Sequence, residues 1–277
     1  MSLSASWMGE GGPTGVTLHG FTGDRRSYEP VLSGVPGRWW VPDLPGHGAS
    51  EPVPSTFEGW LQTLETGIDA AFGPEPPWLV GYSMGGRLAL GLAVRRPERY
   101  LGLVLLGASA GLEVEAERDV RRVSDARWIA LLEQGELEGF ARAWEAQPVL
   151  APGPGVSSDA VGGLASTAGQ PVEARRAATI RRDQQPQRLA QVLASAGLAE
   201  QPALHGLLKT VTCPVVLAAG EFDPKFRAIA DQLAPLFPHA RTHVIPGAGH
   251  DVLSDAPRAV GDLLAACLSP TFQEEPS

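Results

Sequence analysis

The stretch Leu79 to Leu90, "LVGYSMGGRLAL", sets the reading of the whole chain. An apolar run halts at glycines around Ser83, then resumes with helical spacing and carries Arg87 one turn further on. A strand, then Gly81-x-Ser83-x-Gly85, then a helix is the nucleophile-elbow pattern. Its turn is so sharp that small residues must flank the serine, whose hydroxyl then stands clear of the backbone. Such a triplet arises by chance in a glycine-rich chain. The apolar "WLV" before it and "RLALGLAV" after it supply the strand and helix that an elbow requires.

Moving outward, short β-like runs end repeatedly in glycine-rich turns: "GVTLHGFTGD", "WWVPDLPGHG", "WLVGYSMGG", "LGLVLLGAS", "CPVVLAAGEFD" and "THVIPGAGHD". Each is followed by a helix-like segment. That alternation predicts an α/β fold, a mostly parallel sheet with helices on both faces. Ligands on such sheets gather at the carboxyl ends of the strands, where His19, Ser83, Asp223 and His250 all fall.

The rhythm breaks between residues 111 and 206, where β-like runs give way to helical periodicity in "DVRRVSDARWIALLEQGELEGFARAWEAQ" and "EARRAATIRRDQQPQRLAQVLASAGLAEQ". We read this as a helical cap inserted before the last strands, with "PVLAPGPGVSSDAVGG" a loop inside it. The core then comprises residues 1–110 and 207–268, and residues 269–277 form a frayed tail.

Composition narrows the function classes. The formal charge of −9, from 22 basic and 31 acidic residues, disfavours nonspecific binding to nucleic acid or an anionic membrane. An anionic substrate would need its own arginines. The first residues lack a basic segment followed by an apolar one, and the apolar stretch "YLGLVLLGASAGL" is too short to span a bilayer. A soluble cytoplasmic protein without membrane insertion is expected. Cys213 and Cys267 have neither disulfide-framework nor zinc spacing and read as core thiols.

A serine hydroxyl is a poor nucleophile and base at neutral pH until a histidine takes its proton, and that histidine needs a carboxylate to fix its tautomer. Asp223, after "PVVLAAGEF", and His250, after "HVIPGAG", give the order Ser, Asp, His. Asp223 also reads as a helix cap before "KFRAIA". Stabilising an anion beside Ser83 needs two donors, and the amides of Met84 and of Phe21 in "HGFTG" hold the expected places. His19 and His47 read as turn-shaping residues.

"LHGFTGD", "VPDLPGHGAS", "GYSMGG", "GEFD" and "GAGH", in this order, resemble the α/β-hydrolase superfamily over nearly the whole chain. A narrower resemblance, carried by "GYSMGGRLAL", "EAERDVRRVSDARW", "FARAWEAQPV" and "GEFDPKF", is to the 2-succinyl-6-hydroxy-2,4-cyclohexadiene-1-carboxylate synthases of menaquinone biosynthesis. The resemblance implies pyruvate elimination from an enolpyruvyl cyclohexene with three carboxylates. It implies a Ser-His-Asp base and no metal or organic cofactor.

It also implies that Arg87, Arg121, Arg181 and Lys225 bind the small polycarboxylate and that Trp144 and Tyr82 line the site. Physics agrees at Arg87, since a cation on an otherwise apolar helix is costly to bury without an anion. The plainer alternatives are an Arg87 that reaches solvent or a protein carboxylate, Arg121 and Arg181 on a solvated face, and Trp144 packing within the cap. A carboxylesterase acting on small acyl substrates is the competing activity, because the same triad serves both. A non-catalytic binding protein is disfavoured by the intact Ser83, Asp223 and His250.

Overall fold

A computed structural model describes residues 3–150 and 184–269. Seven strands form one sheet: β1 (Ala5–Gly9), β2 (Pro13–Leu18), β3 (Arg38–Pro42), β4 (Trp78–Tyr82), β5 (Gly102–Leu106), β6 (Val215–Gly220) and β7 (Ala240–Ile245). Their order is β1-β3-β2-β4-β5-β6-β7. Only β1 runs antiparallel, against β3, and all other pairings are parallel.

Six of the seven strands coincide with the runs read from the sequence. β1, "ASWMG", does not. It is an edge strand of intermediate burial ending in a glycine-rich turn, so it carries neither a long apolar run nor a clean alternation. Its place comes from pairing with β3, from Ala5 opposite Pro42 to Gly9 opposite Arg38.

The central strands are apolar on both faces because helices cover both. Leu79, Leu103, Leu105, Val215 and Leu217 point into one core, with Trp60 and Leu64 of α2 (Phe57–Phe72) and Leu88 of α3 (Met84–Arg95). The alternate residues Val80, Val104, Leu106, Val216 and Ala218 point into the other. There they meet α1 (Glu29–Leu32) and, from the end of the chain, α8 (Val252–Asp255) and α9 (Pro257–Cys267). This two-residue period is the pleat of the strand expressed as burial. Cys213 lies in the first core and Cys267 in the second, each buried and unpaired, with burial raising both thiol pKa values.

Between β5 and β6 the described residues form helices and no strand: α4 (Glu115–Glu133), α5 (Leu137–Glu145) and α6 (Pro186–Ala196). They pack through a small core of their own, with Leu132, Phe140, Leu189 and Leu193 at its centre. The Trp60 indole of α2 donates to the Ser195 hydroxyl at 3.0 Å, tying α6 to the sheet's first layer. Arg181 and most of the inferred loop lie outside the described residues, as does the tail beyond residue 269.

Candidate active site

Ser83 stands between β4 and α3 with φ 49° and ψ −110°. Its N–H donates to the Leu106 carbonyl at 2.8 Å, and its carbonyl accepts from Arg87 N–H at 3.0 Å. The turn holds because its flanks lack side chains. A Cβ on Gly81 would lie 2.4 Å from the Gly85 carbonyl oxygen, and one on Gly85 would lie 2.1 Å from that of Leu18. A serine at a helix N-cap ordinarily accepts a bond from the first turn. Ser83 makes no such bond, and its Oγ sits 3.2 Å from His250 Nε2 instead.

His250 follows β7 in a glycine-bearing turn and is 5% exposed. Its Nδ1 lies 2.7 Å from Asp223 Oδ2. A carboxylate only accepts, so Nδ1 carries the proton and Nε2 faces Ser83 as acceptor. Asp223 serves two readings at once. Its Oδ1 accepts from Phe226 N–H at 3.1 Å, capping α7 (Pro224–Leu233), while Oδ2 takes the imidazole. Helix and histidine therefore hold one carboxylate from two sides.

Tyr82 and Phe226 flank this group, their ring centroids 5.6 and 4.5 Å from the imidazole. Phe226 did not stand out in the sequence; the only signal for it is its place three residues after Asp223. The Gly249 amide, next to His250, donates to Asp255 Oδ2 at 2.9 Å, bracing the histidine turn.

Against Tyr82 and Ser83 lies the turn from Gly20 to Gly23. Gly23 N–H donates to the Gly20 carbonyl at 3.1 Å. His19, fully buried, donates from Nδ1 to that same oxygen at 2.8 Å and accepts from Leu44 N–H at Nε2, 2.9 Å away. It shapes the turn, as expected. His47 lies 5.0 Å from the His19 ring and donates to the Pro45 carbonyl, and burial pushes its pKa down to about 3. His47 is therefore neutral at physiological pH, and His19, whose Nε2 accepts from Leu44 N–H, is a neutral imidazole by its hydrogen bonds. Met84 is the first residue of α3, where an amide has no acceptor within its own helix.

Trp144 stacks on Phe140 and meets Phe21 edge-on at 5.1 Å, so the inserted helices reach the turn bearing one of the expected donors. Arg87 lies one turn after Ser83 on α3. Its guanidinium donates to the Ala196 carbonyl at 2.9 Å and to Gln201 Oε1 at 3.2 Å, both neutral acceptors. Among the described residues it makes no ion pair. Loss of solvent, with the like charge of Arg121 nearby, lowers its pKa to about 9, against which Asp125 acts. It remains a cation at neutral pH. Ala196 ends α6, whose carbonyl terminus favours positive charge.

Arg121 pairs through Nε with both oxygens of the buried Asp125 at 2.9 Å, leaving its side chain 32% exposed. This carboxylate is thus paired with Arg121 and acts on Arg87 only through its charge. Lys225 is exposed, with its ammonium 5.4 Å from the Phe226 ring. It lines a cleft of about 510 Å³ with Glu113, His205 and Phe226, and Ser83 is not part of that lining. The fold therefore unites Ser83, Asp223 and His250 with Tyr82, brings Phe21 against Trp144, and sets Arg87 near Arg121. Lys225 lines the separate cleft instead.

Residues 16–263 match the model of the alpha/beta hydrolase family. The 2-succinyl-6-hydroxy-2,4-cyclohexadiene-1-carboxylate synthase of Salmonella paratyphi C is 36% identical over 262 residues, 93% of this chain and 94% of that protein. The same-named protein of Salmonella choleraesuis matches equally. Among solved structures, MenH from S. aureus superposes with a TM-score of 0.82 at 26% identity, covering 98% of this chain and 99% of its own. A thermophilic esterase from Thermogutta terrifontis, determined with malate bound, gives 0.74 at 26% identity over 96% and 92%.

Proposed function

Because the chain belongs to the alpha/beta hydrolase family, and within it to the 2-succinyl-6-hydroxy-2,4-cyclohexadiene-1-carboxylate synthases, we propose that it eliminates pyruvate from the succinyl-bearing enolpyruvyl cyclohexene of menaquinone biosynthesis. The observation that carries this reading is Arg87, a partly buried cation one turn from Ser83 with neutral acceptors for partners. A substrate carboxylate offsets the cost of holding that charge out of water. Arg121, half committed to Asp125, adds a second cation.

In the proposed reaction His250 Nε2 accepts the Ser83 proton as Ser83 Oγ removes the acidic C–H. The C–O bond to the enolpyruvyl group then breaks, its electron pair leaving with the oxygen as pyruvate enolate. The imidazolium returns its proton, and the released enol becomes pyruvate. Asp223 keeps His250 in the tautomer that faces Ser83 and stabilises its positive charge. The amides of Phe21 and Met84 donate to the oxygen on which negative charge develops. Among the described residues no helix is long and apolar enough to cross a membrane, and a cytoplasmic location and a small polycarboxylate partner go with this reading.

Pyruvate release, followed by coupled reduction with lactate dehydrogenase, tests it directly. An active preparation that releases none from the succinyl-enolpyruvyl substrate would remove it. Arg87→Met should raise KM for that substrate about tenfold to a hundredfold, the loss of one or two charge-assisted bonds. Turnover of an uncharged ester by the same variant should stay within about threefold. The competing reading, a carboxylesterase, is favoured by the likeness to the Thermogutta terrifontis esterase. It requires burst kinetics with p-nitrophenyl esters and an acyl group on Ser83, with Arg87→Met of little consequence.

A further inference from the structure

Among the described residues two that are not glycine have positive φ, Thr22 at 69° and Ser83 at 49°. They adjoin the two amides assigned above to the developing anion: Thr22 follows Phe21, and Ser83 precedes Met84. A β-branched residue in that region is strained and persists only where its surroundings over-determine it. For Ser83 the surroundings are β4 and α3. For Thr22 they include parts of the chain remote in sequence.

The outer end of the Gly20–Gly23 turn is held by Gln184, which is 6% exposed. Its Nε2 donates to the Gly23 carbonyl at 3.0 Å, and its Oε1 accepts from Gly48 N–H at 3.4 Å. One side-chain amide thus joins the two loops that follow β2 and β3. The Phe21 ring meets Trp144 at 5.1 Å, Phe140 at 6.2 Å and His47 at 6.0 Å, all near edge-on. Trp128 of α4 packs behind, 5.8 Å from Phe140 and 5.2 Å from Trp144. The segment between β5 and β6 therefore grips the turn by a ring at one end and a hydrogen bond at the other.

We infer that Gln184 is a positioning residue, which with this aromatic cluster couples the seating of the inserted helices to the placement of the Phe21 amide. The inference rests on the assignment of that amide as an anion donor. Without the bond to the Gly23 carbonyl, the turn is free to relax at Thr22, and that relaxation rotates the neighbouring peptide planes. A donor displaced by about an ångström loses most of its effect on the barrier, roughly a hundredfold in rate. Ground-state binding is left alone, because Arg87 and Arg121 are held elsewhere.

The test compares Gln184→Met with the parent in two reactions: steady-state pyruvate release, and the second-order rate at which an alkyl fluorophosphonate phosphonylates Ser83. Both rates should fall about tenfold to a hundredfold, with KM within about twofold and the pH profile unmoved. An unchanged phosphonylation rate, or a loss carried by KM with kcat preserved, overturns the inference. If Gln184→Met does not fold, Trp128→Leu loosens the same grip from behind. A fall in both of its rates supports the inference, and no change in either overturns it. A parent enzyme that is phosphonylated but releases no pyruvate defeats the proposed reaction alone, and the phosphonylation rates still decide the role of Gln184.

Discussion

Alanine at position 83 is expected to lower kcat for pyruvate release about 10⁴-fold while KM moves by no more than a factor of a few. Ser83 Oγ is the atom that connects His250 to the substrate, and its 3.2 Å approach to Nε2 is its one side-chain hydrogen bond among the described residues. Removing any member of such a relay disables the rest, so the losses do not add. His250→Ala should therefore fall to a similar rate, and the double variant little further. Circular dichroism should be unchanged, since Ser83 makes no cap bond to α3. A Ser83→Ala enzyme retaining more than about a tenth of its rate would show that His250 removes the proton directly.

Gly85→Ala should be the most damaging single methyl group among the elbow residues. Its Cβ would stand 2.1 Å from the Leu18 carbonyl oxygen and 2.5 Å from that of His19. These are backbone atoms of β2 and the turn that follows it, and neither can yield without moving the sheet. The expected loss is at least about 4 kcal/mol, in the range reserved for core overpacking and backbone conflict. For a domain of this size it lowers Tm by roughly 10 °C. Thermal or urea unfolding beside Gly206→Ala checks the cause. An added Cβ at Gly206 meets nothing within 4 Å, and that variant should stay within about 0.5 kcal/mol of the parent. Equal effects at the two positions would exclude the steric explanation.

Read as a sequence, the chain declares its strands through local apolar runs, and its elbow through glycines spaced around Ser83. Those signals are local because burial on both faces demands a continuous apolar strand, and a sharp turn demands small neighbours wherever it occurs. β1 escaped notice for the complementary reason. Four half-buried residues and an exposed glycine at a sheet edge make no pattern, and only the ladder with β3 defines them. Phe226 and Gln184 escaped because nothing in their own segments marks a ring that will face His250 or an amide that will span two loops.

Arg87 divides the two kinds of information most clearly. Its position one helical turn after Ser83 follows from the sequence by itself, as does the question of what balances its charge. The answer, Ala196 and Gln201, lies 109 and 114 residues away. The same holds for Asp223, whose sequence context allowed a helix cap or a partner for histidine. The fold gave one oxygen to each task. Periodicity and steric need are written along the chain, so the sequence alone determined the α/β layering, the elbow and the order of Ser83, Asp223 and His250. Which polar atoms meet across more than a hundred residues depends on how separate layers close on one another, and that only the tertiary structure decided.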